Sequence, residues 1–175
     1  YKPIYTSTYN QLDSAIKKNS TALYLQNMLL NSDRLKIGTV FPNIKVTDFK
    51  KNEMQLEGLY ENNRYIFIDF WFSRCQPCIR QFPLLKKIHR QNMSKGFTVV
   101  SIASDQDNEE NNLIMGIKQN KFKWTVYWDR NSAITFGQLS ITKFPTNFLL
   151  NSKGEILLKN VEPEDLEIFL SENLK

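Results

Sequence analysis

Apolar residues fall along this chain in two kinds of run. Tyr65-Ile66-Phe67-Ile68 and Phe70-Trp71-Phe72 make a nearly continuous apolar stretch, interrupted once by Asp69, and residues 97–103 make a second. Unbroken runs of this length predict strands covered on both faces. Residues 44–49 alternate instead, which predicts a half-buried strand with residues 54–56 as its hairpin partner. Residues 124–128 read as a further strand. Residues 148–151 and 155–158 read as a hairpin turned by Lys153-Gly154.

Helical spacing covers about 75–93, and 112–120 with Leu113, Ile114 and Ile117 inward. Asp129-Arg130-Asn131-Ser132 read as a turn and cap before a short helix through Gly137-Gln138-Leu139. Pro163 opens a last helix with Leu166, Ile168, Phe169 and Leu174 on its apolar face. The order is a hairpin, then β-α-β-α-β-α, then β-β-α, which is an α/β pattern. Residues 1–36 stand apart, rich in Asn, Ser, Thr and Tyr and without glycine. Leu12, Ala15 and Ile16, then Ala22, Leu23, Leu25, Met28 and Leu29, predict one or two short amphipathic helices, the second capped by Ser20 or Thr21. The division expected is a helical N-terminal extension over 1–36 and one domain over 37–175.

Composition narrows the function classes. Aromatic residues at 13% and charged residues at 23% describe a folded chain. The formal charge of +5 is spread along the sequence, without the basic-aromatic interleaving of a nucleic-acid module. Lys86, Lys87 and Arg90 share the helix at 75–93 and read as its solvated face. No apolar run is long enough to span a membrane, and no signal peptide is present. The chain opens at Tyr1 rather than Met, as a mature or trimmed product would. A membrane tether or an upstream domain outside this chain is therefore compatible with the sequence.

The candidate chemistry sits where the first long strand meets its helix, at Cys75-Gln76-Pro77-Cys78, which holds both cysteines of the chain. Such a pair serves redox exchange, half of a metal site, or a structural staple. Zinc needs four ligands, and the one histidine, His89, lies on the same helix as the pair. Covalent haem needs His directly after the second cysteine, where Ile79 stands. A two-residue loop restrains the unfolded chain little, so a staple gains little. Redox exchange is the favoured reading, with no metal and no cofactor. Cys75 faces the unpaired N–H groups at the helix N-terminus and is the expected nucleophile, with Arg74 adding positive charge beside it. Cys78, one turn further in, is the resolving thiol. Asp69 lies inside an apolar strand, where burial raises a carboxyl pKa, and is the expected proton acceptor.

Asp-Phe-Trp-x-x-x-Cys-x-Pro-Cys over residues 69–78 resembles the active-site segment of the thioredoxin superfamily. Pro83 resembles the proline that bends the superfamily's active-site helix. Phe144-Pro145-Thr146 resembles its second landmark, which implies a cis proline at Pro145 and a Phe144 backbone able to pair with an extended substrate. The Gly38-x-x-x-Pro42 segment, the N-terminal hairpin and the extra helix before Phe144 resemble the TlpA/ResA-like group, related to the AhpC/TSA branch. The resemblance covers roughly residues 37–175. It implies a thioredoxin-like fold: a central mixed β-sheet flanked by helices, an N-terminal β-hairpin and a helical N-terminal extension. It also implies an extracytoplasmic thiol-disulfide oxidoreductase of the bacterial periplasm or cell envelope. Its partners would be protein disulfide or dithiol substrates and an upstream thiol electron donor. Trp71, Arg74, Gln76, Pro77, Phe144 and Pro145 would meet the substrate.

Three positions depart from the family pattern. Arg74 replaces the usual Trp before the first cysteine. Gln81 replaces a glutamate common three residues after the second, so any proton relay falls to Asp69. Gln76-Pro77 lacks the His of strongly oxidising members, which leans toward a reductant. A thiol peroxidase is one alternative, but Ile68 and Phe72 occupy the offsets where peroxiredoxins carry Pro and Thr. A non-catalytic binding module with the same fold is the other.

Overall fold

The structure is a computed structural model and describes residues 2–174. The two continuous apolar runs form the centre of the molecule. β3 (Tyr65–Trp71) and β4 (Phe97–Ala103) pair in parallel over their full length, with Asp69 opposite Ser101. Parallel neighbours need a crossover, and the helix between them, α4 (Gln76–Asn92), supplies it. β5 (Val126–Trp128) adds in parallel to β4. β6 (Thr146–Asn151) runs antiparallel along the other edge of β3, and β7 (Ile156–Lys159) follows it, giving the order β5-β4-β3-β6-β7. The sheet is therefore mixed, with β3 in the middle. The hairpin of β1 (Lys45–Thr47) and β2 (Glu53–Gln55) is a separate two-stranded sheet, joined to the main one by a bridge between Asp48 and Tyr127.

Alternation along β3 sends its side chains to two different layers. Ile66, Ile68 and Phe70 enter an apolar cluster with Phe41, Ile44, Leu56, Ile134, Leu139, Phe148 and Ile156. Phe67 meets Leu85 and Ile88 of α4 and Leu166 and Leu170 of α6 (Pro163–Asn173), while Trp71 meets Cys75, Cys78 and Phe82. α5 (Glu110–Asn120) closes the second layer through Leu113, and its buried Gly116 lets the helix lie against Trp71.

Several sequence expectations are corrected. Ser20 or Thr21 was expected to cap the second helix; the cap is Asn19, whose side-chain oxygen accepts from the Thr21 N–H at 2.8 Å. The N-terminal region holds three helices, α1 (Lys2–Gln11), α2 (Ser14–Lys17) and α3 (Ser20–Arg34). Only the end of α3 is tied to the sheet domain. Asn31 donates to the Gln138 carbonyl and to Ser140 Oγ, and Leu35 enters the core. Ile16, Leu23 and Met28 stay exposed. Ile168, expected inward, is 58% exposed, and Leu170 takes the buried place one turn after Leu166. The short helix after β5 is a single π-type turn, Ala133–Gln138.

Candidate active site

The cysteines lie where the sequence pattern puts them, at the corner between β3 and α4. Cys75 is the N-cap residue of α4, and the Cys78 N–H, one of the helix's unpaired donors, points at Cys75 Sγ at 3.3 Å. The two are joined as a disulfide with Cα atoms 5.3 Å apart. Both sulfur-bearing residues are almost wholly buried, against Trp71, Phe82, Phe72 and Phe144. Gln76, Pro77 and Arg74 are exposed around them, and Arg74 is ion-paired with Glu109. Pro83 sits inside α4, and the helix continues past it to Asn92.

Phe144-Pro145 arrives at the same corner from the start of β6. The peptide bond between them is cis, and the Phe144 ring meets Phe72 edge-on at 5.3 Å. Between Pro145 and Pro77 runs a groove of about 370 Å³, floored by Gln81 and Leu84 and closed by Glu162 and Pro163 at the start of α6. Gln81 is not idle in that wall: its amide donates to Glu162 at 2.7 Å. The nine expected site residues, from Asp69 to Pro145, thus fall on β3, the turn from it into the first turn of α4, or the chain leading into β6. Trp71 alone among the expected substrate contacts is fully buried, behind the cysteines.

Asp69 is 3% exposed, on the face of β3 that α4 covers. Its cross-strand neighbours are polar but already occupied. Ser101 Oγ accepts from Trp124 Nε1 at 2.7 Å, and the Asn147 amide is held at both ends by the Val161 backbone. Asp69 Oδ2 is left without a partner. Burial without compensation penalises the carboxylate, and it pushes the Asp69 pKa up to about 7. A carboxyl group poised there can accept a proton near neutral pH and return it. Among the described residues no cluster of His, Cys, Asp and Glu could hold a metal ion.

Sequence reading missed Asp105. It is 1% exposed, and both its carboxylate oxygens accept from the Ser73 N–H at 3.0 Å, two residues before Cys75. Asp129, read as a turn residue, is a second buried hub. It accepts from the Ile134 and Thr135 N–H groups and the Thr135 hydroxyl. The one available signal was position: each aspartate follows a buried strand by one or two residues.

The geometry agrees with what is known of similar proteins. A Thioredoxin-like family model matches residues 62–156. The thiol-disulfide oxidoreductase ResA of Bacillus cereus is 27% identical over 142 residues, spanning 81% of this chain and 79% of that protein. The solved thioredoxin domain of a thiol-disulfide oxidoreductase from Bacteroides vulgatus superposes with a TM-score of 0.72 at 26% identity, over 81% of this chain and 99% of that one. A thioredoxin-like protein from Bacteroides caccae, 21% identical, superposes with a TM-score of 0.73 over 98% of this chain and 61% of its own.

Proposed function

The chain belongs to the thioredoxin-like family, and from that premise we propose that it is a thiol-disulfide oxidoreductase that reduces protein disulfides through Cys75 and Cys78. The observation that carries this reading is the Cys75–Cys78 disulfide at the N-terminus of α4, with an unpartnered carboxyl at Asp69 on the strand face that α4 covers. In the reduced protein the Cys75 thiolate attacks one sulfur of a substrate disulfide. That S–S bond breaks, the other substrate sulfur leaves as a thiolate, and a mixed disulfide forms. Cys78 then gives its proton to Asp69 and attacks Cys75 Sγ. The second substrate sulfur leaves, and the Cys75–Cys78 disulfide remains. Two electrons have passed to the substrate, and an upstream thiol donor returns them.

Residues around the pair take roles that suit this chemistry. The exposed Arg74, Gln76 and Pro77 form the surface a substrate would meet first, and the groove between Pro77 and Pro145 suits an extended peptide alongside the Phe144 backbone. Trp71, packed behind the pair, is a reporter of its redox state rather than a contact surface. The absence of His between the cysteines favours the reducing direction. Likeness to ResA supports a location outside the cytoplasm, at the bacterial cell envelope. Division into a helical extension over 1–36 and a thioredoxin-like domain over 37–175 fits the ties that the C-terminal end of α3 makes to the sheet domain through Asn31 and Leu35.

The test is reduction of a protein disulfide with dithiothreitol as donor. The chain should accelerate it, and Cys75→Ser should return the rate to background. The couple, equilibrated in thiol/disulfide buffers, should have a potential of about −270 mV, in the range of reducing thioredoxins. Acceleration that survives Cys75→Ser would sink the proposal. A potential of about −120 mV, that of a strong oxidant, would reverse its direction.

A further inference from the structure

Asp105 uses an ionisable group where a neutral one would serve. Its carboxylate is 1% exposed, and among the described residues its one partner is the Ser73 N–H, met by both oxygens at 3.0 Å. An asparagine oxygen would satisfy the same N–H at a fraction of the desolvation cost. The charge is therefore the surplus feature, and it lies on the turn that carries the nucleophile. That turn closes through a hydrogen bond from the Cys75 N–H to the Phe72 carbonyl at 2.9 Å, with Ser73 and Arg74 between.

The carboxylate is also fixed in place. The Ser104 N–H donates to the Trp71 carbonyl at 2.9 Å, continuing the β3–β4 ladder by one residue. Trp128 Nε1 donates to the Asp105 carbonyl at 2.8 Å. Ser104 Oγ lies 2.7 Å from Thr135 Oγ1, which Asp129 holds in turn. Ser104 and the Asp105 carbonyl are thus committed, which fixes the backbone at Asp105, and the carboxylate leaves its place only by giving up the Ser73 N–H. Four residues on, Glu109 takes Arg74. The segment after β4 grips two successive residues of the cysteine turn.

We propose that Asp105 is a positioning residue of the dithiol site: its carboxylate holds the Ser73 N–H, two residues before Cys75, and the negative charge it places on that turn keeps the couple reducing. The inference rests on the reading of Cys75–Cys78 as an exchanging pair. A buried negative charge near the nucleophile disfavours its thiolate. The helix N-terminus acts in the opposite sense. Stabilising the thiolate stabilises the reduced form and makes a couple more oxidising. Asp105 opposes that shift from its place on the Ser73 turn.

The experiment compares the full chain with Asp105→Asn, Asp105→Ala and Asp107→Asn, an exposed neighbour paired with Arg130 and Asn131. Two quantities are read at pH 7: the equilibrium constant of the couple against dithiothreitol, and the rate of Cys75 alkylation in the reduced protein. Asp105→Asn keeps an acceptor for Ser73 and deletes the charge. It should make the couple more oxidising by about tenfold in the equilibrium constant, ~30 mV for two electrons, and should speed alkylation. Asp107→Asn should change neither. Asp105→Ala should match the asparagine variant in potential but exchange more slowly with protein disulfides, having lost the tether as well. Should the alanine variant not fold, the asparagine variant decides alone. An unchanged equilibrium constant and alkylation rate in folded Asp105→Asn would overturn the proposal. Both quantities use small thiols and reagents, so they remain readable even if the chain fails to reduce any protein disulfide, which would be a failure of the functional reading instead.

Discussion

β3 carries two layers that differ by one residue of register. On one side Ile66, Ile68 and Phe70 enter a largely hydrocarbon cluster with Phe41, Ile44 and Phe148, in which Tyr127 is the one buried member with a polar group. On the other, Phe67, Asp69 and Trp71 face α4, and that side holds an unpartnered Asp69 oxygen, an unpartnered Trp71 Nε1 and the disulfide. The apolar layer is built as a core is built, and nothing in it could move a proton or an electron. The α4 layer keeps buried polar atoms without partners, each of which costs stability. The difference adds to what the cysteines show alone, since the unpartnered polar atoms on β3 itself, at Asp69 and Trp71, both lie on the face that carries the disulfide. It also predicts that the two layers answer differently to mutation and to pH.

The largest expected difference is the pH dependence of stability that Asp69 adds. Native Asp69 holds its proton up to about pH 7, whereas in the unfolded chain it releases it near the ordinary aspartate value of 3.8. Between those values the native state binds more protons, so stability falls as pH rises through that window and levels off above it. About three pH units at ~1.36 kcal/mol each give on the order of 4 kcal/mol. His89 acts in the opposite sense, because burial holds its imidazole below the ordinary value and stability falls as it is forced to charge in acid. Subtracting the profile of Asp69→Asn from that of the parent, both kept oxidised, removes this shared slope. Chemical denaturation at pH 5 and pH 8 spans about two of those units and should then show the parent losing roughly 2.7 kcal/mol relative to the variant. The same variant should slow disulfide exchange around neutral pH. A difference profile flat in pH would make the two layers energetically alike.

Next in size is a change in the apolar layer. Ile68→Val removes one methylene from a site with no exposure, facing Val100 and Phe148 across the sheet. The expected cost is about 0.5–1.5 kcal/mol, with the potential of the couple unchanged. A shift in potential would show that the apolar layer reaches the cysteines after all.

Much of this architecture was legible in the sequence because it rests on local signals. A short apolar run rich in β-branched and aromatic residues favours a strand buried on both faces, and the cysteine turn and Phe144-Pro145 are punctuated by residues with few other uses. The same unbroken run hides which residues face which layer, so Asp69 could be placed in the strand but not on a face. Asp105 and Asp129 were lost for a related reason: an aspartate after a strand looks alike whether it turns to water or inward. Its partners, Ser73 for one and Thr135 for the other, are fixed by tertiary approach. Ile168 and Leu170 were exchanged because the helix presents to the sheet only the narrow stripe that Leu166 begins. The exposed apolar residues of α1–α3 follow helical spacing that packing on the sheet domain does not use.

The smallest effect is expected at Gly116, and its sign tests the α4 layer directly. A Cβ there would sit 3.7 Å from the Ser73 Cβ and 3.8 Å from the Trp71 ring, which is ordinary contact, and the glycine lies inside α5 without a left-handed backbone. Gly116→Ala should therefore gain helix propensity without a clash, a stabilisation of up to about 1 kcal/mol. Thermal melting of the oxidised protein would show it as a small rise in Tm, with the potential unmoved. A loss instead would mean that Trp71 and the Ser73 turn cannot give by even a few tenths of an ångström. The layer that carries the chemistry would then be as tightly packed as the hydrocarbon layer behind it, and its unpartnered polar atoms would be held there by close packing as well as by burial.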